Sequence, residues 1–193
     1  MASFLTRFLK RQTGAEQKRP AHVFFTNTLS GEKELFIPLK PGLVSMYSCG
    51  PTVYSQQHIG NMRAVVFSDT LARTLMAAQY RVKRVINITD VGHLVDDADQ
   101  GEHKMAIGAK REHLSPEEVA TRYTKIFLDD IADLNVDVAD ISFPRATEYI
   151  KEQIALATTL EEKGFAYHLP DGLYFDTQKF LGYGKLGGLA HAQ

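Results

Sequence analysis

"LVSMYSCGPTVYSQQHIGN", residues Leu43 to Asn61, decides how this chain is read. Leu43 to Cys49 alternate and are rich in β-forming residues, which predicts a strand. Gly50 and Pro51 stop it, since neither suits a regular ladder. Val65, Val66, Leu71, Leu75 and Met76 then recur near helical spacing, so a helix is predicted to begin at His58–Asn61 and to reach about Gln79. "RVKRVINIT", Arg81 to Thr89, is a second strong β run and ends in the polar loop "TDVGH". Strand, loop, helix and strand make a βαβ unit, whose parallel crossover has a nearly invariant hand. Ligands in doubly wound sheets sit at the carboxyl ends of the strands, so Cys49 and Thr89 are expected to be neighbours in one crevice.

Outward from this unit, "HVFFTNTL" and "ELFIPL" flank the turn "SGEK" and read as a hairpin. The polar run from Asp96 to Glu118 reads as a long loop or a helix with an exposed face. Ser115-Pro116-Glu117-Glu118 is a helix start, with a capping serine, proline in the first turn and acids behind it, and its helix should run to about Leu134. A further amphipathic helix is predicted from Thr147 to Lys163 with Gly164 at its end. "FAYHLPDGLYFD" reads as a hairpin around Pro170-Asp171-Gly172. Residues 1–20 read as a mobile basic tail; Phe4, Leu5, Phe8 and Leu9 on one helical face keep a targeting or membrane-surface role as the alternative.

The bulk numbers narrow the class. The 193 residues are 44% hydrophobic and 23% charged, with a net charge of −1, as in an ordinary globular chain. No global basic field points to nucleic acid, and a local site stays open. One cysteine makes no internal disulfide, so no oxidising compartment is implied. No apolar run approaches the roughly 18 residues of a membrane span.

The chemistry concentrates in two places. In His58-Ile59-Gly60-Asn61, a glycine at a loop-to-helix junction admits a ligand to the backbone, and a helix N-terminus favours an anion. His58 and Asn61 would add donors, a set suited to a triphosphate as pyrophosphate leaves. The bland alternative is a capping or surface histidine. Cys49 is open to three readings: a small buried hydrophobe, a nucleophile with His58 as its base, or a metal ligand. Zinc takes three or four protein ligands, and His93, His103 and His113 stand at no defensible ligand spacing.

Cys49-Gly-Pro-Thr-Val-Tyr54, His58-Ile-Gly-Asn61 and Asn87-Ile-Thr-Asp90, taken in order, resemble the cysteinyl-tRNA synthetases, a class I aminoacyl-tRNA synthetase family. "FPRATEYI", "LEEKGFAY" and "DGLYFDTQKF" resemble later segments of that family in the right order, so the likeness runs from about residue 22 to 188. It implies an α/β fold: the first half of a class I synthetase Rossmann-type parallel sheet over residues 21–135, then a further helix and the start of the connective insertion over 136–193. It implies a cytoplasmic cysteine–tRNA ligase that activates cysteine with ATP and Mg2+ and transfers it to tRNA(Cys). His58, Ile59, Gly60 and Asn61 would bind ATP, with His58 and Asn61 catalytic; Gly50, Thr52, Tyr54 and Thr89 would line the cysteine pocket; Cys49 would be one ligand of a Zn2+ that holds the substrate thiol. Zinc favours thiolate, whereas serine offers a harder, weakly acidic hydroxyl. Asn61 stands where the usual class I tetrad has a second histidine, and His93 where many members carry acid. Asp90 reads as fixing its loop rather than as a chemical group.

The family's remaining zinc ligands, its Lys-Met-Ser-Lys-Ser loop, the second half of its sheet and its anticodon-reading domain have no counterpart among the 193 residues. The chain therefore reads as an N-terminal piece whose partner would be the C-terminal half of the same protein. Two rivals remain: a cysteine ligase acting on an amino-sugar, and a binding module that keeps an ATP or tRNA contact without catalysis. The piece is expected to be inactive alone: purified, it should show no cysteine-dependent ATP–pyrophosphate exchange, and exchange above a no-enzyme control would overturn that expectation.

Overall fold

The computed structural model describes residues 21–92 and 104–187. The predicted βαβ unit lies at its centre. Strand β3 (Leu43–Ser48) pairs in parallel with β4 (Arg81–Ile86), Leu43 opposite Arg81 and Ser48 opposite Ile86. Helix α1 (Ile59–Ala77) makes the crossover and turns its Met62, Val65, Ala72 and Leu75 inward. Ahead of the unit, β1 (Phe24–Thr26) and β2 (Lys33–Leu35) form the expected antiparallel hairpin, shorter than the β-like runs that predicted it. The Phe36 ring stands edge-on to Phe25 at 5.8 Å and to Tyr80 at 5.7 Å, fastening the hairpin to the end of α1.

A third strand was not anticipated from the sequence. Helices α2 (Lys104–Glu112) and α3 (Pro116–Asp133) lead through a 3-10 turn, Val138–Asp140, to β5 (Ile141–Ser142). This strand completes a parallel sheet of order β3-β4-β5. At two residues it is too short to show a period, and its pairing with Arg84 and Val85 of β4 defines it. The predicted Ser115 cap is present: its hydroxyl accepts from Glu118 N–H while the Glu118 carboxylate accepts from Ser115 N–H. The polar run before it is helical over α2; its part before residue 104 lies outside the described residues. The same holds for the basic tail at 1–20.

The larger of two apolar clusters among the described residues fills the space between the sheet, α1 and the α2–α3 pair. Val53, Ile86, Ile88, Val119, Phe127 and Ile131 are its fully enclosed side chains. Beyond the sheet, Ala146–Tyr149 form a 3-10 turn, so α4 (Ile150–Glu162) starts later than the sequence suggested. Strands β6 (Ala166–Leu169) and β7 (Gly172–Phe175) then form the second predicted hairpin. No residue of α4 is buried among the described residues. Strand β3 likewise has β4 as its sole strand neighbour among them, and Ile37 and Leu39 close to it in sequence are 77% and 102% exposed.

The packing of α1 on β4 includes a buried charge cluster. Arg84, in mid-strand, donates from Nη1 to Asp69 Oδ1 at 2.6 Å, and Arg73 donates from Nε to the other carboxylate oxygen at 2.6 Å. Both Arg84 and Asp69 lie inside. Removing one member of such a pair strands the other charge, which costs far more than the pair itself contributes. Asp69→Ala is expected to lose about 3–5 kcal/mol of unfolding free energy. Urea titration of the two proteins checks it; a loss under about 1 kcal/mol would mean that Arg84 finds another acceptor.

Candidate functional site

The site is built where β3 and β4 end. Past Ser48 the two chains approach so closely that a Cβ on Gly50 would lie 1.6 Å from the Asn87 carbonyl oxygen. Only glycine fits. Gly50 N–H donates to Asn87 Oδ1 at 2.9 Å, and the Tyr47 hydroxyl donates to the same oxygen at 2.9 Å. The Asn87 amide in turn donates to Thr89 Oγ1 at 3.1 Å. Parallel pairing then resumes, with Thr89 N–H on Pro51 O at 2.9 Å and Val53 N–H on Thr89 O at 3.1 Å. From the Ser48–Ile86 pair to the Thr52–Thr89 pair, one chain takes four steps and the other three. Cys49, Gly50 and Pro51 thus form a bulge, a device that re-aims side chains. The Cys49 thiol is free and exposed. The expected closeness of the Cys49 and Thr89 strand ends holds, through this re-pairing.

Nine residues after Cys49, His58 caps α1. Its Nδ1 accepts from Gly60 N–H at 3.0 Å, and Asn61 Oδ1 accepts from His58 N–H at 3.3 Å. A Cβ on Gly60 would meet His58 Cε1 at 2.8 Å, so glycine lets the ring lie over the first turn. An imidazole that accepts at Nδ1 carries its proton on Nε2. His58 therefore keeps one N–H to offer, and Asn61 keeps its amide N–H groups. The backbone is less available than the sequence suggested. Gly60 N–H is taken by the ring, and Asn61 and Met62 N–H turn back to His58 O at 3.0 and 3.1 Å. An anion here would meet side-chain donors. His58, Gly60 and Asn61 are exposed, and Ile59 is 88% exposed.

Loop carbonyls between bulge and helix are held as well. Gln57 Nε2 donates to Thr52 O at 3.3 Å and to Ser55 O at 3.2 Å, and Arg111 Nη2 donates to Tyr54 O at 2.8 Å. Thr52 and Tyr54 are half-buried. On the β4 side, Asp90 is buried and fixes its loop, as expected. Its carboxylate accepts from Arg145 Nε at 2.9 Å, Thr147 N–H at 3.0 Å and Thr147 Oγ1 at 2.7 Å. Burial alone would raise its pKa; the Thr147 and Arg145 donors outweigh burial and hold it below the ordinary carboxylate value.

Sequence reasoning missed Arg145, Thr147 and Arg111 as parts of this region. Each joins it over a separation of 55 to 57 residues, which no local pattern reveals. Asn87 was inside a quoted motif, yet its role as junction of three hydrogen bonds appears only with the bulge. For zinc, Cys49 is one suitable ligand, but no group of three or more His, Cys, Asp or Glu side chains converges among the described residues. His93 and His103 lie outside those residues, and His113 is exposed. The described residues do not by themselves make a zinc site.

Residues 35–193 match the family described as tRNA synthetases class I (C) catalytic domain. A protein named cysteine–tRNA ligase from Chlorobium luteolum is 51% identical over 162 residues, 84% of this chain and 33% of the relative. Cysteine–tRNA ligases of Zymomonas mobilis and Deinococcus radiodurans are 46% and 45% identical over 91% and 92% of this chain. The chain spans about a third of the length of these relatives, 33% to 35%.

The Asp90 cluster gives the stability a defined pH dependence. A carboxylate with a depressed pKa in the folded state stabilises above its unfolded value, about 3.9, and that contribution is lost as pH falls through the folded value. Asp90→Asn is expected to cost about 2 kcal/mol at pH 7. The gap between the two proteins should close below about pH 4. Urea midpoints across this range check it; a gap independent of pH would show that Asp90 acts by shape alone.

Proposed function

Because the chain belongs to the class I (C) tRNA synthetase catalytic-domain family, we propose that it supplies the ATP- and cysteine-binding part of a cytoplasmic cysteine–tRNA ligase. The observation that carries this reading is the mutual cap of His58 and Asn61. It commits His58 Nδ1 and Asn61 Oδ1 internally and leaves His58 Nε2–H and the Asn61 amide as donors at the exposed start of α1. Donors held this way need no rearrangement as negative charge grows on a phosphate.

In the proposed reaction the carboxylate of cysteine attacks the α-phosphorus of Mg2+-bound ATP. The new carboxyl–phosphorus bond forms as the bond to the bridging oxygen breaks, and pyrophosphate leaves with that electron pair. His58 and Asn61 would hydrogen-bond the phosphate oxygens, with Ile59 and Gly60 keeping the approach open. Gly50, Thr52, Tyr54 and Thr89 would form the amino-acid pocket, where the bulge gives backbone rather than side-chain walls. A hydroxyl at the 3′ end of tRNA(Cys) would then take the cysteinyl group and release AMP. Cys49 would lend one thiolate to a zinc ion; the other ligands would come from outside the described residues. Relatives named cysteine–tRNA ligase support this substrate.

His58→Ala is expected to weaken ATP binding by about tenfold, the loss of one charge-assisted hydrogen bond. Loss of the cap should lower stability by only about 1 kcal/mol. Isothermal titration with Mg-ATP, beside urea unfolding, separates the two effects. Equal ATP affinity for both proteins would remove His58 from the phosphate site, and an absence of ATP binding by the unsubstituted chain would overturn the assignment of this site.

A further inference from the structure

We propose that Arg111 is a positioning residue for the 49–58 segment, holding its Tyr54 carbonyl so that His58 and Asn61 face the ligand; this rests on the ATP-site reading above. Four carbonyls of the segment are held by hydrogen bonds. Pro51 O is held by Thr89 N–H beyond the end of β4, and Thr52 O and Ser55 O by Gln57 within the loop. Tyr54 O is held from elsewhere, by Arg111 Nη2 at 2.8 Å, from the end of α2 and 57 residues along the chain. Past Val53, this bond ties the loop to a separate element just before it turns into α1.

The guanidinium is itself oriented on several sides. Its Nε donates to Glu112 Oε1 at 3.0 Å, and its Nη2 also donates to the Tyr123 hydroxyl at 3.2 Å. Its carbon lies 5.9 Å from the centre of the Tyr123 ring. That hydroxyl donates to Glu112 at 2.8 Å, and Arg122 pairs with the other Glu112 oxygen at 3.0 Å. The planar fork of arginine suits this arrangement, and lysine, a single point charge, reproduces only part of it. The helix also comes close enough to need a glycine. A Cβ on Gly108 would lie 2.9 Å from Tyr54 O and 3.4 Å from Tyr54 Cβ. Gly108 and Arg111 sit one turn apart on α2 and both meet Tyr54, so α2 acts as a brace on the segment that carries the site. Arg111 is partly exposed, with 45% of its side chain accessible, so its removal should leave the core intact.

The test compares the chain with Arg111→Ala and Arg111→Lys, by amide hydrogen exchange and by Mg-ATP titration. Arg111→Ala should speed exchange of residues 53–60 by about tenfold and leave the amides of α3 unchanged. It should also weaken ATP binding by about tenfold, with Arg111→Lys between the two. A merely structural role would instead raise exchange throughout α2 and α3, and that result, or no change at residues 53–60, overturns the proposal. So does unchanged ATP affinity in a variant whose loop has loosened. If the unsubstituted chain binds no ATP, the functional reading fails, and the exchange pattern alone then decides whether Arg111 holds the loop.

Discussion

The approach of Gly50 to the Asn87 carbonyl is the constraint on which the rest of the site depends. No side chain fits between these backbones, so the two strand ends can converge only if this position is glycine. Convergence lets the Asn87 amide reach Gly50, Tyr47 and Thr89 at once. It also brings Thr52 opposite Thr89, and from there the loop is directed toward the cap of α1. The carbonyls of Pro51, Thr52, Tyr54 and Ser55 are each held by a hydrogen bond, which restricts the path from Cys49 to His58.

Charged side chains join the elements alongside the apolar core. Asp69 ties α1 to β4 through Arg84, and Asp90 ties the end of β4 to the turn before α4 through Arg145 and Thr147. Arg111 and Glu112 do the same between α2, α3 and the site loop. In each, a carboxylate receives several donors, which offsets the cost of withdrawing it from water. The three clusters differ in exposure, and so should differ in salt sensitivity: the Glu112 cluster faces solvent more than the other two.

What the sequence made legible follows from the range of the interactions involved. Alternation exposed β3, helical spacing exposed α1 and a run of β-forming residues exposed β4, while the cap at Ser115, a local signal, marked the start of α3 and a cap at His58 stood as the alternative reading. The tetrad at His58 was recognised, yet its meaning changed in one respect. The first-turn backbone N–H groups that the sequence offered to an anion are largely used inside the turn, leaving side-chain donors. Strand β5 was invisible because two residues carry no period, and its existence depends on β4. Arg145, Thr147 and Arg111 were invisible because their partners lie 55 to 57 residues away.

The bulge also sets a parity. Side chains on a strand alternate between faces and paired residues share a face, so the bulge absorbs one extra residue and lets matching faces meet again beyond it. With four steps from Ser48 to Thr52 against three from Ile86 to Thr89, Val53 points into the core beside Ile88. The segment Cys49–Pro51 is therefore constrained in number as well as in kind. Replacing a residue there alters one wall of the site, whereas deleting one would leave three steps against three and replace the bulge by a regular ladder.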